Sequence, residues 1–125
     1  MVDLYTHGVW VVRTGQEEEF VTRWRDLAQW TAANVPGAGT ARLLQDVDHP
    51  GRFISVGPWE SREAVASWRS LLGFQERLGR LRDLLETFTA STLLLRAEVE
   101  PEAALPPVAG EVREAGGAAR RPLGA

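Results

Sequence analysis

Three observations predict an α+β fold in which four antiparallel strands carry helices on one face. Short runs rich in β-branched and aromatic residues alternate with longer segments whose apolar residues recur at helical spacing. Clusters of Gly, Pro and Asp punctuate the chain between these segments. A chain of 125 residues, 44% hydrophobic and 25% charged, has the size and composition of one ordinary globular domain. The order read along it is β-α-β-β-α-β, the split βαβ of ferredoxin-like folds.

Leu4 to Arg13 (LYTHGVWVVR) reads as the first strand and ends at the turn Thr14-Gly15. Gln16 to Asn34 follows as a helix. Its apolar stripe is Phe20, Trp24, Leu27, Ala28 and Thr31, and Glu17, Glu18 and Glu19 lie in the first turn, where the helix dipole favours them. Asn34 stands where a C-terminal cap is expected, and Pro36-Gly37 stops the helix. Thr40 to Val47 and Arg52 to Trp59 flank the turn formers Asp48-His49-Pro50-Gly51 and predict an antiparallel hairpin. Ser61 offers an N-cap to a helix through Val65, Trp68 and Leu72, with a break expected at Gly73. Phe74, Leu78, Leu81, Leu84 and Leu85 continue at helical steps, so this second helical region is bent or split. Thr87 to Val99 supplies the last strand.

Composition changes near Val99. Residues 99–125 hold four of the seven prolines and no aromatic residue, which reads as a flexible or docked tail behind a folding unit of residues 1–98. Leu105 to Val112 has enough apolar character to dock on a neighbouring surface.

Several function classes are excluded. The absence of cysteine removes disulfides, thiolate metal sites and a cysteine nucleophile. All 14 basic residues are arginine against 17 acidic residues, with a net charge of -3 and no basic block before the tail, so nucleic acid is not an expected partner. There is no Gly-rich dinucleotide motif and no metal-ligand cluster. No apolar run approaches the ~20 residues that span a bilayer, and the N-terminus lacks a signal-peptide pattern, so no membrane partner and a cytoplasmic location are expected.

Strand parity predicts an assembly. Trp10 and Val12 alternate with Val9 and Val11, Phe53 and Trp59 alternate with Ile54 and Val56, and Leu93 to Leu95 repeat the pattern, which makes both sheet faces apolar. The face away from the helices then needs a cover. A second copy packed sheet on sheet gives a homodimer; the tail docked on a monomer is the alternative.

The stretch Phe53 to Trp68 (FISVGPWESREAVASW) and the opening Gly8 to Phe20 (GVWVVRTGQEEEF) resemble the antibiotic biosynthesis monooxygenase family. The likeness extends over residues 4–98 and implies a dimeric α+β barrel. It further implies chemistry drawn from cofactor-independent oxygenases of polyketide phenols, quinol monooxygenases or haem degraders. By the resemblance, Trp59 matches a pocket tryptophan, and Ser55 stands where the polyketide oxygenases have an asparagine. Leu78 replaces the haem degraders' iron-ligating histidine, and Gly8 falls about where their pocket asparagine lies, so haem degradation by that arrangement is disfavoured.

Phe53, Ser55, Gly57 and Trp59 share one strand face, expected to meet the helices. With Trp10, Trp24 and Phe74 as aromatic walls and Leu78 nearby they line either an apolar pocket for a flat aromatic ligand or a solid core. Gly8 and Gly57 remove side chains where a pocket needs space. Arg42 either holds an anion at the pocket mouth or pairs with Asp46, while His7 reads as a structural residue near the dimer seam and His49 as solvated.

The resemblance implies a small enzyme of secondary metabolism that oxidises an aromatic polyketide or quinol with O₂ and no cofactor. Trp59, Ser55 and Arg42 are then the catalytic residues, and Trp10, Trp24, Phe53, Gly57, Phe74 and Leu78 bind substrate. A non-oxidative binding protein or polyketide cyclase using the same pocket is the alternative.

Overall fold

The computed structural model describes residues 3–102. Its elements are β1 (Leu4–Val12), α1 (Glu17–Asn34), β2 (Arg42–Gln45), β3 (Arg52–Trp59), α2 (Arg62–Ser70), α3 (Leu72–Arg82) and β4 (Leu85–Leu94). All strand pairs are antiparallel, in the order β2-β3-β1-β4, which is the ferredoxin-like α+β arrangement the sequence predicts. Most of the expected tail, including Leu105 to Val112, lies outside the described residues. Among the described residues no helix is long and apolar enough to cross a membrane.

Local chemistry accounts for the helix ends. Gln16 makes no side-chain cap, and instead Glu17 reaches back to accept from the Gly15 N–H at 3.0 Å, with Gly15 in the left-handed region at φ 91°. Asn34 closes α1 by donating its side-chain amide to the Trp30 carbonyl at 2.9 Å, and Val35 turns extended, as a residue before proline must. Ser61 caps α2 by accepting from the Ala64 N–H at 3.0 Å.

The second helical region is split, but not at Gly73. Leu71 breaks it with extended backbone at φ -74°, ψ 139°, and Gly73 lies in the first turn of α3. What Gly73 provides is room, because the Trp30 ring occupies the place a Cβ would take.

Two strands are shorter than expected, each for a pairing reason. β2 stops at Gln45 because the Asp46 carboxylate accepts from the backbone N–H groups of Asp48 and His49, drawing the chain into the turn. β4 begins at Leu85, opposite Val12, and ends at Leu94, opposite Leu4. One further bond, from Leu95 N–H to Asp3 O, finishes the ladder, so residues 96–99 have no β1 residue left to pair with.

The parity holds through the sheet. Leu4, Trp10 and Val12 of β1 and Phe53 and Trp59 of β3 are buried beneath the helices. Phe20, Phe53 and Leu81 are completely enclosed, each contributing about 1.5–3 kcal/mol by removal from water. On the other face Val9 is flanked by Ile54 and Thr89, and Val11 by Arg52 and Thr87.

Candidate active site

A cavity of about 550 Å³ lies between sheet and helices, within the ~300–1,000 Å³ range of small-molecule sites. β1 contributes Thr6, Gly8 and Trp10 to it, and β3 contributes Ser55, Gly57 and Trp59. The helices supply Trp24, Leu27 and Thr31 from α1, Trp68 from α2, and Phe74 and Leu78 from α3, while Phe88 and Ala90 close the β4 side.

The aromatic side chains form a connected wall. The Trp59 and Trp68 ring centroids are 4.8 Å apart and those of Trp68 and Phe74 are 4.5 Å apart, both tilted, while Trp10 stacks on Phe88 at 4.1 Å. Each of three indole N–H groups is tied to a hydroxyl that also borders the cavity. Trp59 Nε1 donates to Thr6 Oγ1 at 3.0 Å, Trp68 Nε1 to Thr31 Oγ1 at 2.9 Å and Trp10 Nε1 to Ser55 Oγ at 2.9 Å. These bonds satisfy donors whose burial without a partner is costly, and they hold the rings upright against the wall.

The cavity contains little charge. Of its bordering residues only His7 and Arg69 have ionisable side chains, and no carboxylate is among them. His7 pairs with Val56, and strand alternation directs both side chains to the open face. Arg69, half-buried at the end of α2, has no ion-pair partner among the described residues. No group of three or more His, Cys, Asp or Glu capable of holding a metal occurs among the described residues.

Of the residues singled out from sequence, Trp59, Ser55, Gly57, Trp10, Trp24, Phe74 and Leu78 border this cavity. Phe53 and Arg42 do not. Phe53 is 2% exposed and packs on Phe20 with ring centroids 4.9 Å apart, deep in the filled part of the core. Arg42 is exposed and pairs with Val56, one residue out of phase with the face that carries Ser55, which directs it away from the cavity. The alternative Arg42–Asp46 pair is also absent: Asp46 lies 3.5 Å from Arg52 and 3.7 Å from His49. The backbone N–H of Asp48, followed by that of His49 and the charges of His49 and Arg52, holds the Asp46 carboxyl below its ordinary value despite an opposing desolvation.

Gly8 and Gly57 make room for different things. A Cβ on Gly8 would fall 2.8 Å from Ser55 Oγ and 2.9 Å from Trp10 Nε1, so Gly8 makes space for that hydrogen bond. Gly57 admits the incoming chain at Ala41, whose Cα is 3.3 Å from a Cβ placed there. Sequence reasoning missed Thr6, Thr31, Trp68 and Phe88. The available signal was a hydroxyl residue on an inward-facing position, at Thr6 by parity with Trp10 and at Thr31 within the apolar stripe of α1.

A model of the family described as antibiotic biosynthesis monooxygenase matches residues 4–78, from β1 into α3 and well over half of the chain. The chain is similar to SnoaB, a cofactor-independent oxygenase from Streptomyces nogalater, at 20% identity and a TM-score of 0.74, over 81% of this chain and 100% of that one. It is similar to a Deinococcus radiodurans protein that bears the family's name in its description, at 16% identity and a TM-score of 0.70, over 80% of this chain and 99% of the other. A Pseudomonas aeruginosa protein described without an activity gives 18% identity and a TM-score of 0.67, over 78% and 97%. At these identities the likeness is one of fold. No curated relative matches the chain at a significant level.

Proposed function

The chain belongs to the antibiotic biosynthesis monooxygenase family, and from that premise we propose that it is a cofactor-independent monooxygenase of secondary metabolism. Its substrate on this reading is an aromatic polyketide or quinol with an oxidisable phenol ring. The observation that carries the proposal is an aromatic-walled cavity in which three hydroxyls each accept from an indole N–H and which, among the described residues, no carboxylate borders.

In the proposed reaction the ionised phenol reduces O₂ itself. One oxygen atom ends in the new ring carbonyl; the other leaves as water with the two hydrogens lost from the ring carbon and the hydroxyl. The protein orients the ring against Trp59 and Trp68, excludes water, and stabilises the anion with the Ser55 hydroxyl. Arg69, which borders the cavity and has no ion-pair partner among the described residues, takes the counter-charge role in place of Arg42.

We extend the proposal to a cytoplasmic homodimer joined through the open sheet face, where Leu44 opposite Ile54 and Leu93 opposite Tyr5 are 55% and 44% exposed. Sedimentation is expected to give a two-chain mass for the native protein and a one-chain mass for Val9→Arg. A one-chain mass for the native protein overturns this part.

Oxygen uptake by the purified protein with quinols and anthrone-like phenols tests the function, beside Trp59→Ala and Ser55→Ala. Uptake that falls at least tenfold in both variants is the expected result. Uptake equal in all three rules the site out. Because Ser55 offers one donor where an amide offers two, a non-oxidative binder or cyclase is the second reading; binding of the same phenols without uptake selects it.

A further inference from the structure

We propose that Trp10 is a positioning residue, which aims the Ser55 hydroxyl into the cavity as a hydrogen-bond donor to an ionised substrate oxygen. The inference rests on the reading above that the cavity holds a hydroxylated aromatic, and it concerns how this chain presents Ser55, the hydroxyl of β3 that borders the cavity.

The indole N–H is a donor only, and here its direction is fixed. Trp10 is 4% exposed, stacked on Phe88 at 4.1 Å and tilted against Phe20 at 5.4 Å, so the ring has no freedom to turn. Its Nε1 meets Ser55 Oγ at 2.9 Å. A serine hydroxyl has one proton and two lone pairs. With a lone pair taken by Trp10, the proton must point elsewhere, and among the described residues no side-chain or backbone oxygen accepts it. Ser55 borders the cavity, so the open direction is the ligand's. Donation from an N–H into the oxygen also polarises the O–H bond, which strengthens it as a donor in a site of low dielectric.

Gly8 completes the arrangement. It lies opposite Ser55 in the β1–β3 register, and a Cβ there would crowd both partners, at 2.8 Å from Oγ and 2.9 Å from Nε1. The pair therefore needs a residue without a side chain on the neighbouring strand. Neither Trp10 nor Gly8 has to touch the reacting oxygen; each acts through Ser55.

The probe is 4-nitro-1-naphthol, whose ionisation is visible in its absorption when bound. Wild-type protein is expected to lower the bound probe's pKa by about one unit, the size of a charge-assisted hydrogen bond. Ser55→Ala should return most of that shift, and so should Trp10→Phe, which keeps the aromatic packing and loses the N–H. The Trp10→Phe/Ser55→Ala double variant should move it no further than Ser55→Ala alone. Gly8→Ala retains both side chains but separates them, and should reproduce the loss if Trp10→Phe fails to fold. An unchanged bound pKa in Trp10→Phe or Gly8→Ala, beside a shifted one in Ser55→Ala, overturns the positioning role and leaves the Ser55 reading standing. Additive shifts overturn it equally. No shift in Ser55→Ala removes Ser55 itself from anion stabilisation, and failure of wild type to bind the probe removes the aromatic site on which both rest.

Discussion

The two ends of the layer between sheet and helices differ in filling: one is solid and the other hollow. At the solid end Val12, Phe20, Phe53, Leu81, Leu84 and Leu85 meet with no polar side-chain atom among them, and the same cluster continues through Trp10 and Leu27 to the cavity wall. At the hollow end Trp59 packs with Val35 and Val65 and against Trp68, and the indoles are anchored through N–H groups to Thr6 and Thr31. A side chain with no polar atom is free to slide until voids close, whereas an anchored indole cannot follow without losing its hydrogen bond. The hollow persists because its walls are tethered. Trp30 is the seam: it packs against both clusters, with Gly73 beneath one part of its ring and the Arg77 guanidinium 4.9 Å from its centroid.

The comparison can be broken most forcefully at the solid end. Phe20→Ala is expected to cost about 3–5 kcal/mol in urea unfolding, because the lost burial of the ring adds to the space that partial relaxation leaves behind; a loss near 1 kcal/mol would mean that this end is as loose as the other. At the seam, Gly73→Ala pushes a methyl into the Trp30 ring and should cost about 1–3 kcal/mol, with a change in tryptophan emission that reports both clusters at once. Thr6→Val at the hollow end keeps the volume and removes the acceptor for Trp59. A cost of about 1 kcal/mol is expected there, together with weaker binding of aromatic ligands, and unaltered binding would show that the tether does not hold the wall.

The smallest effect should come from Asp46, outside both regions. Its carboxyl is held below the ordinary value of 3.8. A group depressed in the folded state adds stability above its unfolded pKa and loses it as pH falls through the folded one. The hairpin contribution should therefore be intact at neutral pH and fade only below about pH 4, and Asp46→Asn should flatten that part of the acid unfolding curve.

Much of this layout was legible in the chain. The strand and helix order followed from period and punctuation, and the placement of Ser55, Gly57 and Trp59 on one inward face followed from the two-residue repeat of β3. Arg42 was not legible, because β2 is only four residues long and a one-residue change of register reverses which side chains face inward. Gly73 was misread because a glycine near a helix break has two possible causes, backbone freedom or a crowding neighbour, and the neighbour here is Trp30, 43 positions earlier in the chain. The tethers at Thr6 and Thr31 were hidden for a related reason. Hydroxyl residues are common in strands and helices alike, and only the three-dimensional approach of an indole distinguishes an anchor from a solvated side chain.

The last bond of the ladder, from Leu95 to Asp3 at 2.8 Å, places two points far apart in sequence side by side. A linker of a few residues between them would close the fold into a ring, and the turn at Asp48–Gly51, none of whose residues borders the cavity, would accept the new ends. The order in which the elements are synthesised is thus separable from the shape they make, and a permuted chain beginning at Gly51 should assemble the same walls around the same space.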